Sequence, residues 1–331
     1  MLKKLVLINL KDLGKIVVCK NLHRPTPDCR FAGENSIIKN MSNKKPLAVI
    51  ITGCGYKPIQ HTYKYKGVPS HAVIPINNKP CKMNIGTASA YYLAKKGIEV
   101  IMVSKTGEKL KNIKAGLVSL GCDKKLISYI ATDATSDKEI TQFINKLPKN
   151  RNFFWLQSLG VGGGTYKIPN DNIYLPLQKI DTQVMETEMG IVTATHKFML
   201  KLLPILKKQV KSGAEARICV ITSMSGERGY HYGGTHVAAK HALVGYIKGI
   251  KNELEDAGIN IIDIRPGAID TGMYDNSTVR KTVEDISVKT KMWGGRKPIY
   301  ASPIMVAKAV YNAMFSTSPK KVYKILAPHQ K

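Results

Sequence analysis

Acidic residues are scarce in this chain: 23 Asp and Glu stand against 51 Lys and Arg in 331 residues, a formal net charge of +28. The excess is mostly lysine, spread along the sequence without arginine-rich blocks or interleaved aromatics. That dispersal reads as a solvated basic surface, not as a nucleic-acid interface. Aromatic residues make up 7% and tryptophan occurs twice. No apolar run approaches the length of a membrane span. The stretch at residues 5–10 is too short for a secretory core and is followed at once by charge. Six cysteines, at positions 19, 29, 54, 81, 122 and 219, form no Cys-x-x-Cys and no metal-type pairing with histidine. A disulfide scaffold and a zinc module are therefore excluded, no metal site is expected, and free thiols in a reducing cytoplasm are. What is present is a 44% hydrophobic share, enough to bury a full core and incompatible with a disordered chain.

From Leu47 onward, apolar segments alternate with amphipathic ones. Strands are predicted at residues 47–52, 98–104, 126–132, 153–157, 216–223, 260–265 and 321–326. Helices are predicted at 86–96, 108–120, 136–147, 183–208, 234–256 and 302–314. Seven strands in this rhythm predict an α/β fold: a doubly wound, parallel, seven-stranded Rossmann sheet in three α/β/α layers. There is no internal repeat and no second-domain boundary, so residues 41–331 are expected to form a single domain. Met41, followed by Ser-Asn-Lys-Lys-Pro just before the first strand, reads as a native start. Residues 1–40 are accordingly expected to be an appendage without consequence for the fold: a mis-start, a loose extension or a weak targeting arm.

The segment from Ile221 to Tyr246 carries the most chemistry. A mostly apolar strand ends at Ser223, a glycine-punctuated loop follows, and a helix opens near Gly234 with His236 and Lys240 one turn apart on a shared face. This layout resembles the active site of the short-chain dehydrogenase/reductase family, in which a serine lies thirteen residues before the tyrosine of Tyr-x-x-x-Lys. The serine and lysine positions match; histidine stands in the tyrosine's place. The resemblance implies a nicotinamide cofactor, with Ser223 holding the substrate oxygen and Lys240 the nicotinamide ribose. His236 would then be the proton relay. The fourth catalytic position of the family, an asparagine three residues before a glycine, corresponds to Thr187 before Gly190.

The same resemblance implies a cofactor site distributed along the chain. Thr52-Gly53-Cys54-Gly55 opens a glycine-rich turn, and Asn84-Ile85-Gly86 resumes it after a detour through residues 56–83. Joined, the halves match Thr-Gly-x-x-x-Gly-x-Gly except that Asn84 replaces a glycine. The glycines allow backbone to approach pyrophosphate, and the helix N-terminus supplies donors. The inserted 56–83 segment reads either as a lid or oligomer contact over the cofactor mouth, or as a surface hairpin without chemical consequence. Ser104 and Lys105, with no acidic residue beside them, suit a 2′-phosphate and imply NADP. Asp133-Ala134 resembles the pair that contacts adenine, and Gly160 is what remains of an Asn-Asn-Ala-Gly motif. Pro266-Gly267-Ala268-Ile269-Asp270-Thr271 matches the turn that holds the carboxamide; Pro266, Gly267, Ile269 and Thr271 carry that match.

The expected function is an NADP(H)-dependent oxidoreductase interconverting a carbonyl and a secondary alcohol on a small molecule covered by residues 272–300. A homo-oligomer, dimer or tetramer, is expected, with helices 183–208 and 234–256 packing against partner copies. No membrane partner is expected. Imidazole titrates ordinarily near 6.5 and phenol near 10. A nearby Lys240 ammonium and a nicotinamide cation would favour the neutral imidazole, a ready proton acceptor but a scarce donor. Tyr230 or Tyr232, on the loop before the helix, could bring a phenol to the gap instead. The alternative is a catalytically impaired nucleotide-binding homologue with a regulatory or scaffold role.

Overall fold

In a computed structural model that describes residues 45–160, 174–289 and 298–327, apolar alternation resolves into a sheet with a core on each face. The strands are β1 (Leu47–Thr52), β7 (Glu99–Ser104), β8 (Ile127–Ala131), β9 (Asn152–Gln157), β10 (Ala216–Ile221), β11 (Ile259–Pro266) and β12 (Val322–Ile325). They form one seven-stranded sheet in the order β12-β11-β10-β9-β1-β7-β8, every pairing parallel. The helices are α1 (Ile85–Lys95), α2 (Gly107–Ser119), α3 (Asp137–Lys146), α4 (Thr182–Lys211), α5 (Gly234–Asp256), α6 (Ser277–Lys289) and α7 (Pro303–Phe315). Within β1 the period-2 alternation sends Val49 and Ile51 to one core with residues of α1, α2 and α7. It sends Ala48 and Ile50 to the other, with residues of α3, α4, α5 and α6. This is the predicted doubly wound arrangement. The strand order reverses between β1 and β9, which opens a crevice at the carboxyl ends of the strands.

Strand and helix limits fall within about three residues of those predicted. Two features were not predicted. The substrate-loop region contains α6, where an irregular stretch was expected. Residues 56–83 fold into five short strands, β2 (Tyr56–Pro58), β3 (Lys64–Tyr65), β4 (Val68–Pro69), β5 (Val73–Ile76) and β6 (Lys79–Met83). β2, β6 and β5 make an antiparallel sheet, and β3 and β4 a separate hairpin. Both hairpins close through two-residue loops at positive φ, Lys66-Gly67 (49° and 81°) and Asn77-Asn78 (48° and 62°). That is the twist-matched loop geometry of a tight hairpin.

The absence of a span-length apolar run needs one correction. The 30-residue α4 is long and apolar enough, by length and composition, to cross a membrane. Its Phe198, Leu202 and Leu206 are fully buried against the sheet, which is ample reason for its composition. Residues 1–44, and with them the expected appendage, lie outside the described residues, as do residues 161–173, 290–297 and 328–331. The four described cysteines, Cys54, Cys81, Cys122 and Cys219, are free and buried.

Candidate active site

The crevice at the switch point holds a cavity of about 520 Å³. Its floor begins with β1, whose last residue leads into Gly53 at φ +91°; a Cβ there would lie 2.2 Å from the Ser158 carbonyl oxygen. Glycine is thus required by both backbone conformation and close approach. Gly86 meets the same turn from α1, where an added Cβ would lie 2.8 Å from the Gly53 oxygen.

The long excursion of residues 56–83 leaves and rejoins this turn at one point. Asn84 caps α1: its Oδ1 accepts from the N–H groups of Thr87 (2.9 Å) and Gly55 (3.1 Å), while its Nδ2 donates to the Gly53 oxygen (2.8 Å). Thr87 Oγ1 donates to the Gly55 oxygen at 2.8 Å, and the Asn84 N–H reaches that oxygen at 3.1 Å. The two ends of the excursion are therefore sewn together, and the N-terminus of α1 still faces the crevice through Asn84 and Ile85.

The excursion is also fastened to the opposite side of the crevice. Lys82, on β6 and 0% exposed, donates to Asp270 (2.6 Å) and Asp275 (2.7 Å). Ser70 Oγ adds a bond to Asp270 at 2.9 Å, and His71 Nδ1 lies 3.5 Å from the same carboxylate. Burial would raise the Asp270 carboxyl, but the donors of His71, Lys82 and Ser70 outweigh it and hold it below its ordinary range. The N–H groups of Gln60 and His61 both donate to Asp275 at 3.2 Å, and Tyr63 donates to the Tyr274 carbonyl oxygen. Asp270 belongs to the turn after β11, and Asp275 stands just before α6. Residues 56–83 are thus tied to both, and Tyr56 and Lys57 line the cavity.

At the carboxyl end of β10, Ser223 lies in extended backbone and accepts from the Ser225 N–H at 3.0 Å, leaving its own proton to donate. His236 and Lys240 enter from the first turns of α5, and all three residues line the cavity. Lys240 is 6% exposed. Burial pushes its pKa below the ordinary lysine value against the opposing charges of Glu188 and Asp263. His236 Nδ1 lies 3.3 Å from Oε1 of Glu188, a carboxylate only 1% exposed on α4. Among the described lining residues Glu188 is the sole acid, whereas Lys57, Lys109, Arg228 and Lys240 supply cations.

Residues 81–282, more than half of the chain, match the family model for short chain dehydrogenase. The chain belongs to the short-chain dehydrogenase family. A stretch of 247 residues is 26% identical to uncharacterized oxidoreductase YbbO of Escherichia coli (strain K12), covering 74% of this chain and 82% of that protein. Another, of 201 residues, is 24% identical to farnesol dehydrogenase of Aedes aegypti, covering 59% and 77%. The fold is similar to that of an NADPH-bound short chain oxidoreductase from Pseudomonas aeruginosa PAO1 described as containing an atypical catalytic center. That likeness has a TM-score of 0.60 at 13% identity, over 85% of this chain and 95% of the other. An alcohol dehydrogenase from the archaeon Thermococcus sibiricus complexed with 5-hydroxy-NADP is similar at a TM-score of 0.57 and 18% identity, over 86% and 98%.

In this short-chain dehydrogenase the cavity gathers Gly53, Gly55, Ile85, Gly160, Ser223, His236, Lys240, Pro266, Gly267, Ile269 and Thr271. Five predicted positions do not line it. Gly86 packs behind the turn. Ser104, Lys105, Asp133 and Ala134 lie at the ends of β7 and β8, where Lys105 and Asp133 pair at 2.7 Å in solvent. Thr187 is a sixth: its hydroxyl donates to the Gln183 carbonyl of its own helix (2.7 Å), and the residue that reaches the cavity is its neighbour Glu188. Tyr230 lines the cavity, with burial raising its phenol well above the ordinary value. Tyr232, at φ 60°, does not line it.

Sequence reasoning missed Glu188, Lys57 and Lys109. Lys109, in the first turn of α2, has its ammonium 3.6 Å from where a Gly55 Cβ would stand. Its pKa is lowered first by burial and then by the charge of Lys57. Two ammonium groups repelling each other beside a helix N-terminus form an anion-ready donor set. A signal for Lys109 existed in its place at the start of the helix after β7; Lys57 and Glu188 had none.

Proposed function

We propose that this oxidoreductase interconverts a carbonyl and a secondary alcohol with NADP(H), using histidine where the family carries its catalytic tyrosine. The inserted 56–83 segment serves as a wall of the cofactor mouth. The observation that carries the reading is that Ser223, His236 and Lys240 line the same cavity as the glycine turn and the Pro266–Thr271 turn. The residues fit a dinucleotide: the N-terminus of α1 with Lys57 and Lys109 suits pyrophosphate, and among the described residues no acid lines that part of the cavity. Bound, the nicotinamide would supply or accept hydride. Ser223 donates to the substrate oxygen, Lys240 holds the nicotinamide ribose, and His236 passes the proton. Tyr174, Tyr230, Met273 and Tyr274 give the substrate an apolar, aromatic wall. Thr187 has no part in this scheme.

The preference for NADP over NAD rests on Lys105. Its exposed pair with Asp133 is worth about 0–1 kcal/mol and is readily exchanged for a 2′-phosphate. Neighbours of the same fold carrying NADP or NADPH support the reading. A homo-oligomer that uses the outer faces of α4 and α5, where Leu200 is exposed, belongs to the same proposal.

The test is a titration with NADPH and NADH followed by a carbonyl panel on the parent and on two His236 variants. His236→Ala should lose about 10²–10⁴-fold in turnover, and His236→Tyr should retain or raise reductase activity. An alanine variant as active as the parent would remove His236 from the mechanism. Tight NADPH binding with no turnover by parent or tyrosine variant would favour a non-catalytic nucleotide-binding role.

A further inference from the structure

We infer that Glu188 is a positioning residue for His236. Its buried carboxylate accepts a hydrogen bond from the Nδ1–H of the imidazole, leaves Nε2 to serve the substrate, and balances the charge of the imidazolium when the ring must donate. This rests on the proposed role of His236 as proton relay.

The geometry carries the inference. Glu188 Oε1 lies 3.3 Å from His236 Nδ1. That separation is at the long end for a hydrogen bond, as is usual for catalytic pairs before substrate binds. Glu188 is 1% exposed, His236 has 19% of its side chain exposed, and both line the cavity. A carboxylate enclosed to this degree costs several kcal/mol unless its charge is answered. Among the described residues, charged and titratable groups reach the pair's surroundings from α5, β11, the loop after β10 and the segment before α4. Lys240 lies one turn along α5 and senses the charge of Glu188, as it does that of Asp263 on β11. Tyr230, on the loop after β10, senses Glu188 as well, and Tyr174 stands beside Tyr230. Lys240 and Glu188 thus bring opposite charges to the cavity beside His236.

In reduction the carbonyl carbon would take hydride, with its electron pair, supplied by a bound NADPH that leaves as NADP⁺, and the C=O π pair would move to oxygen. The oxygen takes the Nε2 proton of His236 and the alcohol is complete. The ring would be left neutral, keeping its Nδ1 proton and donating it in a hydrogen bond to Glu188, and solvent would return a proton to Nε2. Oxidation is the reverse. Without Glu188 the neutral ring in water prefers its proton on Nε2, which blocks the proton acceptor needed for oxidation and leaves the imidazolium uncompensated for reduction.

The experiment reads the ring nitrogens directly, in the protein without cofactor, by ¹⁵N spectroscopy of labelled histidine with His236→Asn for assignment. At alkaline pH the parent should show Nδ1 protonated and Glu188→Ala should show Nε2 protonated. The isosteric Glu188→Gln, which can still accept a hydrogen bond, should keep the Nδ1–H form and covers the case in which the alanine variant fails to fold. In kinetics Glu188→Gln should lower reductase kcat on the order of 10–10²-fold at neutral pH. The KM for NADPH should stay within about twofold, and the pH range of reduction should move to the acid side, with Glu188→Asp recovering part of the loss. An Nε2-protonated parent, or a glutamine variant with the parent's pH profile, overturns the inference while leaving His236 as relay. Full activity in His236→Ala removes the relay itself, and the catalytic role of Glu188 with it.

Discussion

Two lysines are enclosed among the described residues, and their surroundings differ. Lys82, at the base of the 56–83 excursion, is 0% exposed and lies within 2.7 Å of two carboxylates. Lys240, on α5, is 6% exposed, and no ion pair joins it to a carboxylate among the described residues. Lys82 is completed by the fold: its charge is answered, and the answer fastens β6 to the turn after β11 and to the start of α6. Lys240 is left incomplete by the fold, its ammonium disfavoured by burial and facing a cavity. A buried charge with partners marks architecture, and one without them marks a place kept for a ligand.

The largest expected effect is at Lys82. Lys82→Met leaves Asp270 and Asp275 enclosed without their cation and should cost roughly 3–5 kcal/mol of stability, read by denaturant unfolding. Combining it with Asp270→Asn and Asp275→Asn should recover much of the loss. Because the Asp270 carboxyl is held below its ordinary value, its contribution is present above the ordinary carboxyl range and fades as pH falls through the depressed one. The Lys82→Met variant should therefore lose stability least at acid pH. A loss under about 1 kcal/mol would break the comparison.

At Lys240 the sign reverses. A lysine whose folded pKa is depressed disfavours folding below that value, and the cost fades as pH rises toward the ordinary lysine value. Lys240→Met should thus hold or raise Tm at neutral pH, while NADPH binding weakens at least tenfold with the loss of a charge-assisted contact of about 1.5–3 kcal/mol. Reduced stability together with unchanged NADPH affinity would show that Lys240 is a structural group like Lys82.

The smallest effect sharpens the contrast from outside. Lys105 pairs with Asp133 at 2.7 Å but is 78% exposed, so Lys105→Ala should change stability by less than about 1 kcal/mol. It should weaken NADPH binding about tenfold and leave NADH binding nearly unaltered, as judged by fluorescence titration. Equal affinity of the parent for both cofactors would remove Lys105 from cofactor selection.

The sheet was legible because its strands are short, apolar and separated by helix-length amphipathic segments. β9 and β10 are buried at every residue, which leaves little room for another reading of those runs. The 56–83 segment was not legible as a sheet because Pro58, Pro69, Pro75 and Pro80 interrupt the alternation that marks strands. Its two hairpin loops, Lys66-Gly67 and Asn77-Asn78, were the readable signals, each a two-residue turn suited to positive φ. That Ser223, His236 and Lys240 line one cavity was expected from the resemblance of their spacing to the family's motif, since spacing survives wherever a strand end and one helix bring residues together. Glu188 was not. A one-residue step rotates a side chain by about 100° around a helix axis, so aligning α4 on Gly190 selected Thr187, while the neighbouring position is the one that reaches His236.

The Lys82–Asp270 contact spans 188 residues of chain. On a ribosome adding about 5–20 residues per second, Lys82 emerges roughly 10–40 s before the carboxylate it needs. During that interval the excursion has its hairpin turns but not its anchor, and a lysine destined for the interior is still in water. The cavity wall that residues 56–83 contribute is therefore among the last parts of this protein to be secured, and variants that weaken it should be felt first as poor yield of newly made protein.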